Sequence, residues 1–460
     1  MNRIPLHTIT PSTSPDSGLS GRKIHVRLTE GKYQTLRRLI SWPMILAFFL
    51  LVWIEVDGQP WLMFDFQQRR ILLFGSHFSW HDLHILTGLM IAGACLLFFL
   101  AVAWGRVWCG FACPQSIWTW MFIRIENWTE GRASHRARQA HLPLRGTRLL
   151  RRLLKHLLWI LLSCATAITF TGYFLPIRDM AQQLLAFDTS WMLAGWLLSM
   201  SVLTYLNAGL VREMICLHAC PYSRFQAVMM DESTRKVSYD DTRGEPRAER
   251  KTVISTSQPA SQAKGDCIDC GICIQVCPVG IDIREGIQAA CIDCGACIDA
   301  CDQVMDKIDR PRGLIRFASE KQLQRVPDKL LRPRLMGYLL VTLLAFSAAA
   351  YGVISKRDLV AEIQRDRGAL YQVMPDGQTC NFYQVRVESF NPVLQQVRVT
   401  LPDETLKLYG PDELILDHKG HWSAYRICAE EPNAGVTRFS LHFTSGSAEV
   451  IKQNSFIAKP

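Results

Sequence analysis

Five apolar blocks, separated by polar and basic stretches, give this chain its outline. Residues 39–56, 83–104, 156–175, 191–211 and 335–354 are each about as long as a helix must be to cross a bilayer, and they carry almost no charge. The pattern predicts five transmembrane helices. The first is the least regular, with Pro43 near its start and Glu55 near its end, although an early proline costs a helix little. After the fifth block the period falls to two. Val385 and Val387 alternate with Arg386 and Glu388, Val397, Val399 and Leu401 with Arg398 and Thr400, and Phe439, Leu441 and Phe443 with Ser440 and His442. Alternation of this kind marks half-buried strands. Asn391-Pro392, Pro402-Asp403, Gly410-Pro411 and Lys419-Gly420 break them at short intervals. Residues 355–460 therefore read as a small β-sandwich, with a barrel as the alternative. This segment carries no catalytic set and suits an interaction or anchoring module.

The polar stretches divide the rest. Residues 1–34, with Thr10-Pro-Ser-Thr-Ser-Pro15, read as a disordered tail, and they have no apolar h-region that would mark a cleavable signal peptide. Residues 35–230 hold the first four helices. Residues 231–264, including Ser255-Thr-Ser-Gln-Pro-Ala-Ser-Gln262, read as a linker ahead of a cysteine-rich domain at 265–320.

Charge orients the blocks. Arg22, Lys23, Arg27, Lys32, Arg37 and Arg38 precede the first helix, and a run of basic residues from Arg124 to Lys155 follows the second. The positive-inside tendency puts both in the cytoplasm, while residues 55–82 and the sparsely charged stretch between the third and fourth helices face outward. Counting spans places the cysteine-rich domain inside and everything after residue 354 outside. The formal charge of +10 then reflects basic loops near anionic lipid and excludes nucleic acid as a partner, since no folded basic surface is apparent.

Sixteen cysteines carry the chemistry. Cys267, Cys270, Cys273 and Cys277-Pro278, then Cys291, Cys294, Cys297 and Cys301, form two runs of C-x2-C-x2-C-x3-C. This is the spacing that holds a pair of [4Fe-4S] clusters, the fourth cysteine of each run ligating the other cluster. One cluster is assigned to Cys267, Cys270, Cys273 and Cys301, and the other to Cys291, Cys294, Cys297 and Cys277. Gly271 and Gly295 supply the tight turns that bring backbone against inorganic sulfide. Zinc sites also use C-x2-C pairs, but four such cysteines twice over, with Pro278 closing the first run, point to iron and sulfide.

A second signature is duplicated. Arg106-Val-Trp-Cys109-Gly-Phe-Ala-Cys113-Pro114-Gln-Ser116 follows the second helix, and Arg212-Glu-Met-Ile-Cys216-Leu-His-Ala-Cys220-Pro221-Tyr-Ser223 follows the fourth. The repeat indicates a duplicated two-helix unit. Proline after Cys113 and Cys220 predicts that each caps a new helix, where the helix dipole lowers a thiol's pKa. Convergence of the two motifs would give a four-thiolate set suited to Cu(I), with zinc or a further iron-sulfur centre as alternatives. Cys95 and Cys164 lie within spans and read as packing residues. His77, His81 and His84 cluster at the outer mouth of the second helix, where interfacial polarity and a metal or haem site compete; His156 beside Lys155 reads as interfacial.

The chain resembles the CcoG/FixG/RdxA family of cytochrome c oxidase accessory proteins over nearly its whole length after the tail. The resemblance rests on Gly105-Arg-Val-Trp-Cys-Gly-Phe-Ala-Cys-Pro-Gln115, Tyr173-Phe-Leu-Pro-Ile-Arg178, Cys220-Pro-Tyr-Ser-Arg-Phe-Gln226, Arg243-Gly-Glu-Pro-Arg247, Gly265-Asp-Cys-Ile-Asp-Cys270 and Pro311-Arg-Gly-Leu-Ile-Arg316. It implies a multi-pass protein of the bacterial inner membrane. The implied architecture is a two-[4Fe-4S] ferredoxin domain inside and an immunoglobulin-like domain in the periplasm. The implied activity is a cupric reductase that supplies Cu(I) for the copper centre of a cbb-type oxidase. Expected partners are oxidase assembly factors, copper chaperones or transporters, membrane lipid and a cytoplasmic electron donor. A quinol dehydrogenase and a non-enzymatic assembly scaffold are the rival functions. Cys380 and Cys428 stand outside the family pattern; lying in the segment assigned to the oxidising side, they are expected to pair. A thiol count on the denatured, unreduced C-terminal fragment should find neither free; two free thiols would mean that they do not pair.

Overall fold

The computed structural model describes residues 25–458 apart from 57–58, 67–69, 75, 80–82, 141, 144, 248–264, 330–331, 355–358, 367, 369, 376, 390–393, 404, 417–420, 431–434 and 447. Along the chain run α1 (Lys32–Leu50), β1 (Glu55–Val56), β2 (Gln59–Pro60), β3 (Leu62–Asp65), β4 (Arg70–Leu73), β5 (Ser76–Ser79) and α2 (Leu83–Trp104). Next come α3 (Val107–Phe111), α4 (Pro114–Thr129), α5 (Ala133–Gln139), α6 (Thr147–Gly172), α7 (Ile177–Leu185), α8 (Trp191–Thr204) and α9 (Pro221–Met229). The cysteine-rich region holds β6 (Lys236–Tyr239), α10 (Asp241–Gly244), α11 (Ile272–Gln275), α12 (Ala296–Lys307), β7 (Ile315–Ala318) and α13 (Glu320–Leu323). After α14 (Pro333–Ile354) the chain is all strand: β8 (Leu359–Arg365), β9 (Gln372–Val373), β10 (Thr379–Ser389), β11 (Gln396–Thr400), β12 (Lys407–Tyr409), β13 (Glu413–Ile415), β14 (Trp422–Ala429), β15 (Val436–Ser445) and β16 (Ala448–Ile457).

Five helical stretches, Lys32–Trp53, His84–Trp104, Thr147–Gly172, Trp191–Val211 and Pro333–Ile354, are long and apolar enough to cross a membrane. The first and third begin earlier than their apolar blocks. Arg148, Arg151, Arg152 and Lys155 interrupt hydropathy but are good helix formers, so α6 takes them in. The fourth is not α-helical throughout: Tyr205–Val211 and then Ile215–Ala219 are π-helical, on either side of Arg212 with φ 47°.

The chain divides into two compact units. In the first, residues 1–50, 93–171 and 183–342, two expected boundaries move. The expected tail of residues 1–34 lies outside the described residues up to 24, but 25–34 are packed rather than free. Arg27 N donates to Gln275 O at 2.8 Å, and Tyr33 N and Gln34 N donate to the Asp299 carboxylate at 3.1 and 2.8 Å. Asp299, from α12, thus satisfies orphan donors at the start of α1, as an N-cap would. The expected linker of 231–264 also shrinks. β6 pairs antiparallel with β7, from Lys236 opposite Ala318 to Tyr239 opposite Ile315, so residues 231–247 belong to the cysteine-rich domain. Arg243 binds Asp266 at 2.6 Å and holds the Arg312 carbonyl at 3.0 Å. Residues 248–264 lie outside the described residues.

In the second unit, residues 51–92, 172–182 and 343–460, β12-β14-β10-β8 form one sheet, with β9 also on β10, and β13-β11-β15-β16 form another. Their inward faces share one core: Tyr383, Val385 and Ile427 from the first sheet meet Val399, Leu441 and Phe443 from the second. This is the period-two pattern of the sequence, expressed as burial. Buried Asn381 ties the sheets by donating to Ile457 O at 2.8 Å and accepting from Ile457 N at 3.3 Å. Cys380 and Cys428 are direct cross-strand partners, with Cα atoms 4.1 Å apart, and are joined as a disulfide. A smaller three-stranded sheet, β3-β4-β5, and the β1-β2 pair complete this unit; Phe64 N donates to Tyr173 O at 2.7 Å and Arg178 pairs with Glu55 at 3.0 Å.

Candidate redox and metal centre

The cysteine-rich domain folds around its thiols because its glycines allow it. Gly271 (φ 64°) and Gly295 (φ 69°) begin α11 and α12 in the left-handed region, turning the chain between the second and third cysteine of each run. Asp269 (φ 47°) and Asp293 (φ 49°) repeat the same bend one residue before the second cysteine. One cavity is lined by Cys267, Cys270, Cys273 and Cys301. A second is lined by Cys277, Cys291, Cys294 and Cys297, and Cys273 borders both. Apolar side chains close each, including Ile272 and Leu314 for the first and Val279 and Ile292 for the second. Two adjoining pockets, one lined by four thiols and the other by four more together with the shared Cys273, and both with largely apolar walls, have the donor chemistry of cubane iron-sulfur clusters. Burial pushes the Cys273 and Cys277 thiols up to about 11 and Cys301 up to about 12. Burial thus makes these thiols harder to ionise than a free thiol.

The duplicated motifs meet beside the second cavity. Cys113 caps α4 with Pro114 in its first turn, and Cys220 caps α9 with Pro221 in the same place. Cys109, on the short α3, is buried and donates to the Gln226 side-chain oxygen on α9 at 3.3 Å. Arg106, also buried, reaches the Ser223 carbonyl with its guanidinium. Ser223 Oγ donates to Cys220 O at 3.1 Å, and Ser116 Oγ donates to Cys109 O at 2.6 Å. Gln115 joins the repeats from the other side through the carbonyls of Asn207 and Arg212 at 3.2 and 3.3 Å. Arg212 is anchored in turn by Glu126 at 3.1 Å, which also pairs with Arg136 at 3.3 Å.

The four thiols share one electrostatic neighbourhood. Burial, then Cys113, pushes Cys109 up to about 12 against the opposing charge of Arg106, with smaller contributions from Cys216 and Cys220. Burial, then Cys113 and Cys220, pushes Cys216 up to about 11. Among the described residues no three His, Cys, Asp or Glu side chains stand at the separation of one ion's ligands. The structure therefore gathers Cys109, Cys113, Cys216 and Cys220 into one neighbourhood without closing them into a coordination shell. Cys95 and Cys164 are half-buried in α2 and α6. His156 binds Tyr205 OH at 2.7 Å and lies edge-on to Trp159. Of the histidine trio, His81 lies outside the described residues and His84 is exposed.

Asp293 is the residue the spacing of cysteines did not single out. Its carboxylate is buried between Cys291 and Cys294, accepting from Arg106 N at 2.8 Å and from Val237 N at 2.9 Å. Burial pushes this carboxyl up, and the two backbone donors oppose that. A β-carbon on Gly105 would sit 2.7 Å from the Asp293 carboxylate, and one on Gly110 would sit 2.6 Å from Ile292 O and 2.8 Å from Cys294 Cα. Only glycine lets the first motif lie against this loop. The readable signal was the repeat itself, since both runs open Cys-Ile-Asp-Cys-Gly.

A family model described as a 4Fe-4S dicluster domain matches residues 211–320. The chain is 34% identical over 430 residues to Protein RdxB of Cereibacter sphaeroides, covering 89% of this chain and 87% of that protein. It is 36% identical over 386 residues to Protein RdxA of the same organism, covering 80% of each. To the nitrogen fixation protein FixG of Rhizobium meliloti it is 30% identical over 429 residues, covering 85% of this chain and 81% of that one.

Replacing Asp293 with alanine strands two buried N–H donors and should cost about 3–5 kcal/mol, read as a lowered denaturant midpoint in pulse proteolysis of the full chain. Asp293→Asn, which keeps one acceptor oxygen, should fall between the two. Equal midpoints for all three would remove the carboxylate from this role.

Proposed function

We propose that this chain, which belongs to the FixG/RdxA/CcoG family, is an iron-sulfur oxidoreductase of the membrane that reduces Cu(II) to Cu(I) for assembly of the copper centre of a cbb-type cytochrome c oxidase. One observation carries the reading. Cys109 belongs to the same apolar core as Cys277, Cys294 and Cys297, while its charged neighbours are Cys113, Cys216 and Cys220. A soft thiol set lies directly against one of the two cluster-type cavities.

Cys267, Cys270, Cys273 and Cys301 would hold one [4Fe-4S] cluster, and Cys277, Cys291, Cys294 and Cys297 the other. When bound, such clusters accept and release electrons one at a time, which suits a one-electron metal reduction. Copper is the substrate: Cu(II) gains one electron and becomes Cu(I), the ion that thiolates prefer. Cys109, Cys113, Cys216 and Cys220 bind it. Gln226 orients the Cys109 thiol, and Arg106 supplies positive charge that favours its thiolate. Basic loops favour a cytoplasmic position for the cysteine-rich domain, and the two-sheet unit, with its disulfide, suits an immunoglobulin-like domain on the periplasmic side. Copper chaperones or transporters and oxidase assembly factors are the partners this activity needs.

Quinol oxidation is a second reading, favoured by one cavity whose apolar walls include Trp120, Ile123, Val279 and Ile292, with Arg27, Arg37, Arg212 and Glu213 as charged groups beside Cys216. Anaerobic reduction of the purified protein, followed by Cu(II) and a Cu(I) chelator, separates the two. Cys-to-Ser changes at the four motif cysteines should cut Cu(I) formation at least about 100-fold with cluster absorbance intact. Unchanged rates would remove these thiols from the mechanism, and reoxidation by quinone but not by copper would favour quinol chemistry.

A further inference from the structure

An open cavity of about 900 Å³ lies on the first unit, beside the cavity of Cys267, Cys270, Cys273 and Cys301. The two share Ile272 and Val304 as a common wall. Five cations face the open cavity: Arg27, Arg38, Arg124, Arg132 and Lys307, against Glu30 as its one carboxylate. All but the half-buried Arg38 are exposed. None of the five forms an ion pair among the described residues; Arg27 binds the Gln275 carbonyl through its backbone, and Arg38 donates to Thr29 O at 3.4 Å. Among the described residues the other exposed cations of the cysteine-rich domain are spent: Arg247, Arg310 and Arg312 pair with Glu245, Asp266 and Asp306. The cavity therefore concentrates unneutralised positive charge where only two apolar side chains separate it from four thiols.

The order of the sites gives this charge a use. The second set of thiols shares its core with Cys109, the first set shares its wall with the basic cavity, and Cys273 borders both sets. The basic cavity also borders the core of the second set through Val276 and Ala300, but its shared wall with the first set gives electrons an entry there, from which Cys273 leads on to the second set. We propose that the basic cavity is the docking site of an acidic, one-electron carrier protein that loads the centre held by Cys267, Cys270, Cys273 and Cys301. One electron leaves the carrier, which is oxidised by one equivalent, and enters that centre, which is reduced by one; no bond or proton need move between them. Weak, charge-steered encounters of this kind need only a small interface. The proposal names the donor for the function above and rests on that reading.

The test is made without copper, so that it stands apart from the reductase activity. The full chain, in discs of zwitterionic lipid, is mixed in a stopped flow with a reduced acidic flavodoxin, and cluster bleaching is followed between about 20 and 300 mM salt, roughly a fourfold change in Debye length. The variant Arg124→Gln/Arg132→Gln/Lys307→Gln should be reduced about 10–100-fold more slowly at low salt, with a flattened salt dependence. It should bind flavodoxin correspondingly more weakly in calorimetry. Arg325→Gln/Lys329→Gln, which removes exposed charge elsewhere on the same compact unit, should behave as the parent, and a cationic viologen should reduce all three at similar rates. A parental rate and salt slope in the triple variant would overturn the proposal. So would an equal loss with viologen, which would mean a damaged domain, or a variant that keeps its flavodoxin rate but loses affinity for anionic-lipid vesicles, which would make the cavity a headgroup site.

Discussion

The arrangement of this molecule depends on one buried carboxylate. Asp293 stands between two cysteines of the second run and accepts hydrogen bonds from Arg106 N and Val237 N. It thereby fixes the end of α2, the strand β6 and the thiol loop at a single point. Hydrogen bonds to a charged group contribute about 1.5–3 kcal/mol each, enough here to offset most of the cost of burying the anion. The contact also dictates composition around it. Gly105 and Gly110 must lack side chains because the Asp293 carboxylate, Ile292 O and Cys294 occupy the space a β-carbon would take. Asp299, on α12, does the same for α1 by capping its first turn, and Gly295 must remain glycine because Tyr33 lies against it. Two carboxylates from one domain thus hold the ends of two long apolar helices.

The duplicated motif shows how one local sequence acquires two environments. Both copies make the Cys-Pro helix start, since proline fixes the backbone there whatever surrounds it. The cysteine four residues earlier is decided by packing. In the first copy it lies on an α-helical turn pressed to the cysteine-rich domain; in the second it lies in a π-helical turn after Arg212. π-Helical turns are uncommon and concentrate at functional sites. Here they leave Cys216 beside an apolar cavity, while Cys109 is sealed against Gln226.

What the sequence disclosed follows from the range of each interaction. Long apolar runs and strict alternation report burial averaged over many residues, so the five helices and the paired sheets were legible from hydropathy and period alone. Boundaries set by a single tertiary hydrogen bond were not. Nothing local in residues 25–34 tells of Asp299, some 265 positions away, and nothing in residues 231–247 tells of β7. The short strands β1–β5 were hidden for a related reason, since two to four residues are too few to establish a period. In the site, the thiols were legible because ligand spacing is a local constraint. Asp293 and Gln226 were legible only as members of longer motifs, because their roles are fixed by partners remote in sequence.

The thiols themselves weigh a local effect against a tertiary one. A helix N-terminus stabilises a nearby negative charge by about 0.3–1 kcal/mol, less than a tenfold gain in ionisation. Burial acts the other way on Cys109 and raises it to about 12, which Arg106 opposes without reversing. The helix-start effect falls on Cys113, which caps α4, whereas Cys109, inside α3, has only the charge of Arg106 to set against burial. On the proposed function, ionisation of the Cys109 thiol would be coupled to the arrival of a cation. On that reading, such a site would discriminate by charge as well as by softness. Burial also shields the Cys109 thiol from the oxidation that exposed thiolates invite.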